Sequence, residues 1–280
     1  MKFLRIKNIV LVLILALFSI PSFAEKNHIT IAGSTTIMPV SEKWAKAYKK
    51  KTGIVVNVHG GGSTSGIKAT QTGTADIGAS SRELNYSEKN NLKQIIIGKD
   101  ALAVIVNKTN QIKDLNIDQV RGIFSGRIKK WNEVGGPDKP IQIINRESGS
   151  GTRDLFTEVI MHIMLIDKTT KVVPMCLSSI VNNSNAEVKE SVKLIPNSIG
   201  YISIGYVDNT VKPLTINSVS PTPKNVYDGK YSLVRNLYYL FKEENDKSVQ
   251  SFLAYVLSKE GQSFVSNEGF LPITENNARD

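Results

Sequence analysis

Ile29-Thr30-Ile31-Ala32-Gly33-Ser34-Thr35-Thr36 is a β-branched run that passes directly into glycine and hydroxyl residues, with Pro39 close behind. The run predicts a strand, and the glycine and hydroxyl residues after it predict the start of a helix, where a proline costs little because its missing N–H has no partner there anyway. The same transition occurs twice more. Val55-Val56-Asn57-Val58 leads into Gly60-Gly61-Gly62-Ser63-Thr64-Ser65-Gly66, and Ile141-Gln142-Ile143-Ile144 leads into Arg146-Glu147-Ser148-Gly149-Ser150-Gly151-Thr152. Strand-like runs at residues 28–32, 54–58, 95–97, 101–106 and 141–144 alternate with helical stripes. One stripe is Val40, Trp44, Ala47 and Tyr48; another is Leu155, Phe156, Val159, Ile160 and Ile163. The fold class is therefore α/β, and the aromatic residues of the stripes read as core.

Each of the three loops sets free backbone N–H groups and the positive end of a helix dipole beside hydroxyl donors, and glycine allows close approach of a ligand. One such loop is what any helix start prefers, since Ser and Thr are good caps. Three together, one of them carrying Arg146, describe a site that holds an anion. Known anion chemistries fit poorly. Gly61 to Gly66 has the glycine spacing of a nucleotide P-loop but continues Ile67-Lys68, which puts the lysine out of register. Ser65 stands where a dinucleotide fingerprint needs glycine, and Gly149-Ser150-Gly151 is one residue too tight on each side for a hydrolase elbow. Only His59 of the three histidines adjoins a candidate loop, as the end of a strand. Binding without turnover is the simpler reading.

Composition narrows the class further. The chain has 280 residues, enough for two domains that bury their own cores, and Cys176 is its single cysteine, which excludes a disulfide scaffold and a cysteine zinc site. The formal charge is +10, from 35 Lys and Arg against 25 Asp and Glu. Lys2, Arg5 and Lys7 precede an apolar run, and Ser22-Phe23-Ala24 has the small-x-small form cut by signal peptidase, so residues 1–24 read as a signal peptide. The apolar run is shorter than the ~20 residues of a membrane span. Cleavage after Ala24 would give a soluble periplasmic protein of charge +7 with no remaining transmembrane segment. The other lysines are scattered or lie on exposed helix faces, as at Lys46, Lys49, Lys50 and Lys51, which argues against nucleic acid as a partner.

The loops carry a resemblance. Gly33-Ser34-Thr35-Thr36, Gly62-Ser63-Thr64-Ser65-Gly66, Asp76-Ile77-Gly78-Ala79-Ser80-Ser81-Arg82 and residues 146–152 resemble, in order, the ligand loops of PstS-type phosphate-binding proteins of ABC transporters. Flanking stretches agree, among them Ile123-Phe124-Ser125-Gly126 with Trp131, and Gly269-Phe270-Leu271-Pro272. The resemblance implies a two-lobed periplasmic-binding-protein fold of type II, each lobe a mixed sheet flanked by helices, with two crossing hinge strands. Lobe one would combine residues 25–105 and 231–280, lobe two would be 106–230, and the crossings would lie at 101–106 and near 231–235. It implies phosphate donors at Thr35, Thr36, Ser63, Ser81, Arg146, Ser150, Gly151 and Thr152, with Ser34, Arg82 and Ser148 as additional candidates. It also implies a monomer, no cofactor or metal, no catalysis, and delivery of inorganic phosphate to an inner-membrane ABC permease. Sulfate or molybdate in the same fold, and an exported phosphatase, are the alternatives. One departure stands out. Where well-known members have an Asp that accepts the proton of hydrogen phosphate, this chain has Ser81, with Glu147 and Glu83 as the nearest other acceptors and Arg82 as a second cation.

Overall fold

The computed structural model describes residues 28–89, 91–166, 168–242 and 247–273, and the signal-peptide reading of residues 1–24 lies outside them. Among the described residues nine strands share one hydrogen-bonded sheet. They are β1 (His28–Gly33), β2 (Val55–Gly61), β3 (Ile77–Ser80), β4 (Leu92–Asn107), β5 (Gln142–Arg146), β6 (Ile180–Asn182), β7 (Ser198–Ser203), β8 (Val211–Pro213) and β9 (Val234–Lys242). Their order is β2-β1-β3-β9-β4-β7-β5-β6, with β8 added to β4. β1 is parallel to β2 and β3, β5 is parallel to β6 and β7, and β9 is antiparallel to both its neighbours. The α/β class and two-lobed architecture are those expected.

The sheet changes lobes on β4. The separate runs expected at 95–97 and 101–106 are parts of this one strand of 16 residues, roughly 50 Å long. Up to Ala101 it pairs with β9, and from Leu102 it pairs with β7. Each side has its own core. In one, Ile29, Ile31, Trp44, Ile77, Tyr239 and Phe252 are buried together. In the other, Val104, Phe124, Trp131, Phe156 and Tyr201 are buried together. β9 is the second strand to pass between them, and its Arg235 lies opposite Asp100 of β4.

The helices follow local chemistry. α1 (Met38–Thr52) carries Pro39 in its first turn, Lys49, Lys50 and Lys51 in its last, and ends on Gly53 in the left-handed region, so both ends suit the helix dipole and its unpaired backbone groups. Its buried stripe is Val40, Trp44 and Tyr48, joined by Ala45, while Ala47 is half-buried. α2 (Ser63–Thr72) follows β2 directly. α3 (Ile117–Phe124) packs in the second lobe, its Val120, Ile123 and Phe124 buried. The stripe expected to run to Ile163 is shorter than a helix of that length. α4 (Gly151–Phe156) gives way to a wider π turn over Thr157–Met161, and His162–Met164 is a strand paired with Thr170–Val172. β-branched Val159, Ile160 and Ile163 crowd a tight helical turn and suit a strand, which accounts for the change. The later helices are α5 (Asn185–Leu194), α6 (Pro223–Tyr227), α7 (Lys247–Leu257) and α8 (Lys259–Asn267). Among the described residues no helix is long and apolar enough to cross a membrane.

Candidate functional site

The three strand-to-helix loops meet between the lobes. Glycine makes this approach possible at two positions. A Cβ on Gly66 would stand 2.6 Å from the Ala32 carbonyl and 2.7 Å from Gly33 Cα, so α2 rests on the strand backbone itself. A Cβ on Gly151 would stand 2.5 Å from Ser63 Oγ and 2.6 Å from Ser81 Oγ, so the first turn of α4 abuts the serines of the opposite lobe. Across the same gap Thr64 N–H donates to the Gly149 carbonyl at 3.1 Å, and Tyr206 Oη donates to the Thr35 carbonyl at 2.6 Å.

Thr35, Thr36, Ser63, Ser81, Arg146, Ser150, Gly151 and Thr152 are all buried here, as is Ser34. Their hydrogen bonds are polarised. A hydroxyl has one hydrogen to give and two lone pairs to fill. Thr36 Oγ1 receives Asn185 Nδ2 at 3.0 Å and Arg235 Nη2 at 3.0 Å, which leaves its hydrogen for Thr152 Oγ1 at 3.1 Å. Thr152 Oγ1 also receives Arg235 Nη2, at 3.1 Å, so both its lone pairs are filled and its hydrogen is left to donate outward. On the other flank Thr36 N–H donates to Ser34 Oγ, Ser34 Oγ donates to Ser81 Oγ at 3.0 Å, and Ser81 N–H donates to Ser63 Oγ at 3.0 Å. Ser63 and Ser81 hydroxyls then share one further bond at 3.2 Å, in either direction, which leaves one hydrogen of the pair free. Amide and guanidinium donors behind the hydroxyls thus turn hydroxyl hydrogens toward whatever lies in the cleft.

Two arginines are buried in the same cluster. Arg146 is 1% exposed, and its Nε and Nη2 hold the Glu147 carboxylate at 2.7 and 2.8 Å. Nη2 also reaches Thr35 Oγ1 at 3.3 Å. Arg235 donates from Nε and Nη2 to Asp100 Oδ2 at 3.0 and 2.7 Å, while Ser203 Oγ donates to Asp100 Oδ1 at 2.7 Å. Burial pushes the Asp100 carboxyl up, against the pull of Arg235 and Ser203. Burial likewise lowers the Arg235 pKa and Arg146 adds like-charge repulsion, while Asp100 opposes both. Among the described residues the buried side-chain polar atoms without a hydrogen-bond partner are Arg146 Nη1 and Arg235 Nη1. Leaving such a donor buried and unmet costs about 1–3 kcal/mol or more, so an acceptor suited to both is what the cluster calls for.

Arg82 and Ser148 stand apart from the hydroxyl chain. Arg82 is held by both carboxylate oxygens of Glu88 at 2.7 and 2.8 Å and by Asp154 across the gap at 3.1 Å, so its charge is already matched. The hydrogen bond from Arg82 lowers the Glu88 pKa, whereas burial raises that of Asp154. Ser148 is exposed. Both border an open polar groove of about 1030 Å³ whose walls include Ser81, Glu88, Asp154 and Arg235, which connects the cluster to solvent. Glu83 accepts the Tyr238 hydroxyl at 2.9 Å. Arg235, Asp100, Asn185 and Ser203 were not singled out from sequence. A lone arginine in Val234-Arg235-Asn236-Leu237-Tyr238-Tyr239-Leu240 and an aspartate opening the apolar run 101–106 were the available signals.

A family model described as PBP superfamily domain matches residues 21–260. The phosphate-binding protein PstS of Borreliella burgdorferi is 32% identical over 95% of this chain and 99% of its own length. The chain belongs to the PstS family of the PBP superfamily. PstS of Pseudomonas aeruginosa is 30% identical over 88% of this chain and 83% of its own. Among solved structures, a phosphate ABC transporter substrate-binding protein from Clostridium perfringens with bound phosphate superposes with a TM-score of 0.82 at 36% identity, covering 88% of this chain and all of that one. An ABC-type phosphate transport receptor from Vibrio cholerae gives 0.71 at 32% identity over 88% of this chain and all of that one. Both solved structures are of proteins of phosphate transport, one described as a substrate-binding protein and the other as a receptor.

Proposed function

We propose that this chain is an exported receptor that captures inorganic phosphate between its lobes and delivers it, as a monomer and without turnover, to an inner-membrane ABC permease for import. The observation that carries the reading is the convergence of outward-turned hydroxyl hydrogens with two buried guanidinium N–H groups that lack protein partners. A dehydrated tetrahedral oxyanion needs a donor on every oxygen, and this cluster presents donors from both lobes. Phosphate would be held by Thr35, Thr36, Ser63, Ser81, Arg146, Ser150, Gly151 and Thr152, with Ser34 bracing Ser81. Arg82 and Ser148 act at the mouth of the groove, where the Arg82–Asp154 pair ties the lobes together. The proposed lobes are residues 25–105 with 231–280, and 106–230; β4 changes partner between Ala101 and Leu102, so residues 102–105 already pair in the sheet of the second lobe. Closure about β4 and β9 is a hinge motion between states a few kcal/mol apart. The first residues, 1–24, act as the export signal and are removed in the periplasm. Calorimetric titration of the mature protein with phosphate, then with sulfate, tests the reading: saturable phosphate binding with no phosphate-ester hydrolysis is expected, and absence of phosphate binding would overturn it.

Ser81 supplies the acceptor for the phosphate proton. When Ser81 donates to Ser63, its oxygen accepts only Ser34 and keeps a lone pair for a P–OH hydrogen, which sulfate lacks. Ser81→Asp puts an obligatory acceptor with a negative charge there. The ratio of phosphate to sulfate affinity should rise about tenfold or more, in line with ~1.5–3 kcal/mol for a hydrogen bond to a charged group. An unchanged ratio in competition titrations would place selectivity on another group.

A further inference from the structure

Arg235 is the second cation of the cluster, and its position differs in kind from that of Arg146. It sits on β9, one of the two strands that pass between the lobes, directly opposite Asp100 on the other. Its side chain is 5% exposed. Nη2 reaches three acceptors with its two hydrogens, one on Asp100 Oδ2 and the other shared between Thr36 Oγ1 beside β1 and Thr152 Oγ1 in α4. Thr36 and Thr152 come from opposite lobes and touch each other at 3.1 Å. Nη1 is buried and has no hydrogen-bond partner, the same condition as Arg146 Nη1. A guanidinium that served only to neutralise Asp100 would need Nε and Nη2 alone, and burying a further N–H beside a second buried arginine would be unfavourable without an anion to receive it.

We propose that Arg235 is a second anion-contacting arginine, donating from Nη1 to the same phosphate as Arg146 and, through Nη2, coupling that contact to the closed arrangement of Thr36 and Thr152. This rests on the phosphate reading of the cleft. Two guanidinium groups, each backed by its own carboxylate, favour a doubly charged oxyanion held centrally between them over a singly charged one. Because Asp100 and Arg235 lie on the crossing strands, the pair is fixed in the hinge and needs no reorientation as the lobes meet; the threonines come to it.

The test is calorimetric titration of the full mature protein with phosphate and with sulfate, for wild type, Arg235→Lys and the double variant Asp100→Asn/Arg235→Gln. Lysine keeps the charge beside Asp100 but, as a compact ammonium, cannot span Asp100, both threonines and an anion together. The double variant leaves no unmatched charge, so it reports on binding should the single variant fold poorly. Both should lose roughly 30-fold or more in phosphate affinity, and the rise in thermal midpoint on adding phosphate should shrink accordingly. An arginine that only braces the hinge would lower the midpoints of free and loaded protein equally and leave affinity alone. Phosphate affinity within about threefold of wild type in either folded variant overturns the proposal. If wild type binds neither anion, the phosphate reading itself falls and this inference with it; if wild type binds and the variants bind equally, only the inference falls.

Discussion

Replacing Arg146 with alanine is expected to weaken phosphate binding by about 2–5 kcal/mol, roughly 30-fold to several thousand-fold. Two effects add. The donor Nη1, buried and without a protein partner, is lost. Glu147, whose carboxylate is gripped by Nε and Nη2, is left facing the cleft without its cation and repels the incoming anion. The second effect separates from the first in the double variant Arg146→Ala/Glu147→Ala, which should recover part of the loss, since neither unmatched charge remains. Arg146→Lys should fall between wild type and alanine, because a lysine retains charge but lacks the fork that holds Glu147 while a third nitrogen points elsewhere. Calorimetry at fixed ionic strength reads the affinities, and the thermal midpoint without phosphate shows whether each variant is folded. Wild-type affinity in folded Arg146→Ala would remove this residue from the site.

How much of the site was legible in the sequence depended on whether a residue's role was local. The strand-to-helix loops at Gly33, Gly62 and Gly149 declare themselves because turn chemistry, caps and glycine positions are written within a few consecutive residues. Ser34, Thr36, Ser63, Ser81 and Thr152 accordingly meet in one hydrogen-bonded cluster. Arg235 and Asp100 are 135 residues apart, and only the pairing of β9 with β4 brings them together. Asn185, whose amide fixes the orientation of the Thr36 hydroxyl, opens α5 at a fourth strand-to-helix junction that has no glycine to mark it. Arg82 misled in the opposite sense. Its neighbour Ser81 suggested a cation for the anion, but Glu88, six residues on, comes back over a short turn to match it. The helix expected to reach Ile163 failed because an apolar stripe does not by itself distinguish a helix from a π turn followed by a strand when β-branched residues dominate it.

Asp100→Asn should destabilise the protein by about 3–5 kcal/mol, the usual consequence of breaking a buried pair from one side. Asp100 is wholly buried and accepts Arg235 Nε and Nη2 on one oxygen and Ser203 on the other. With asparagine in its place Arg235 keeps its charge in the hinge, beside Arg146, without the carboxylate that pairs with it directly. The midpoint of thermal unfolding should drop on the order of 10 °C for a chain of this size, and most of the drop should be reversed by millimolar phosphate, which supplies the missing negative charge from the other side. The apolar double variant Asp100→Leu/Arg235→Met separates stability from function. Apolar replacement of a buried pair is commonly neutral or stabilising, so this variant should unfold near the wild-type midpoint in the absence of phosphate while gaining little from its addition. A hinge pair retained for stability alone predicts the reverse pattern, a low midpoint in the double variant with the full phosphate-induced rise, and that result would assign Asp100 and Arg235 to the scaffold and leave the anion to Arg146 and the hydroxyls.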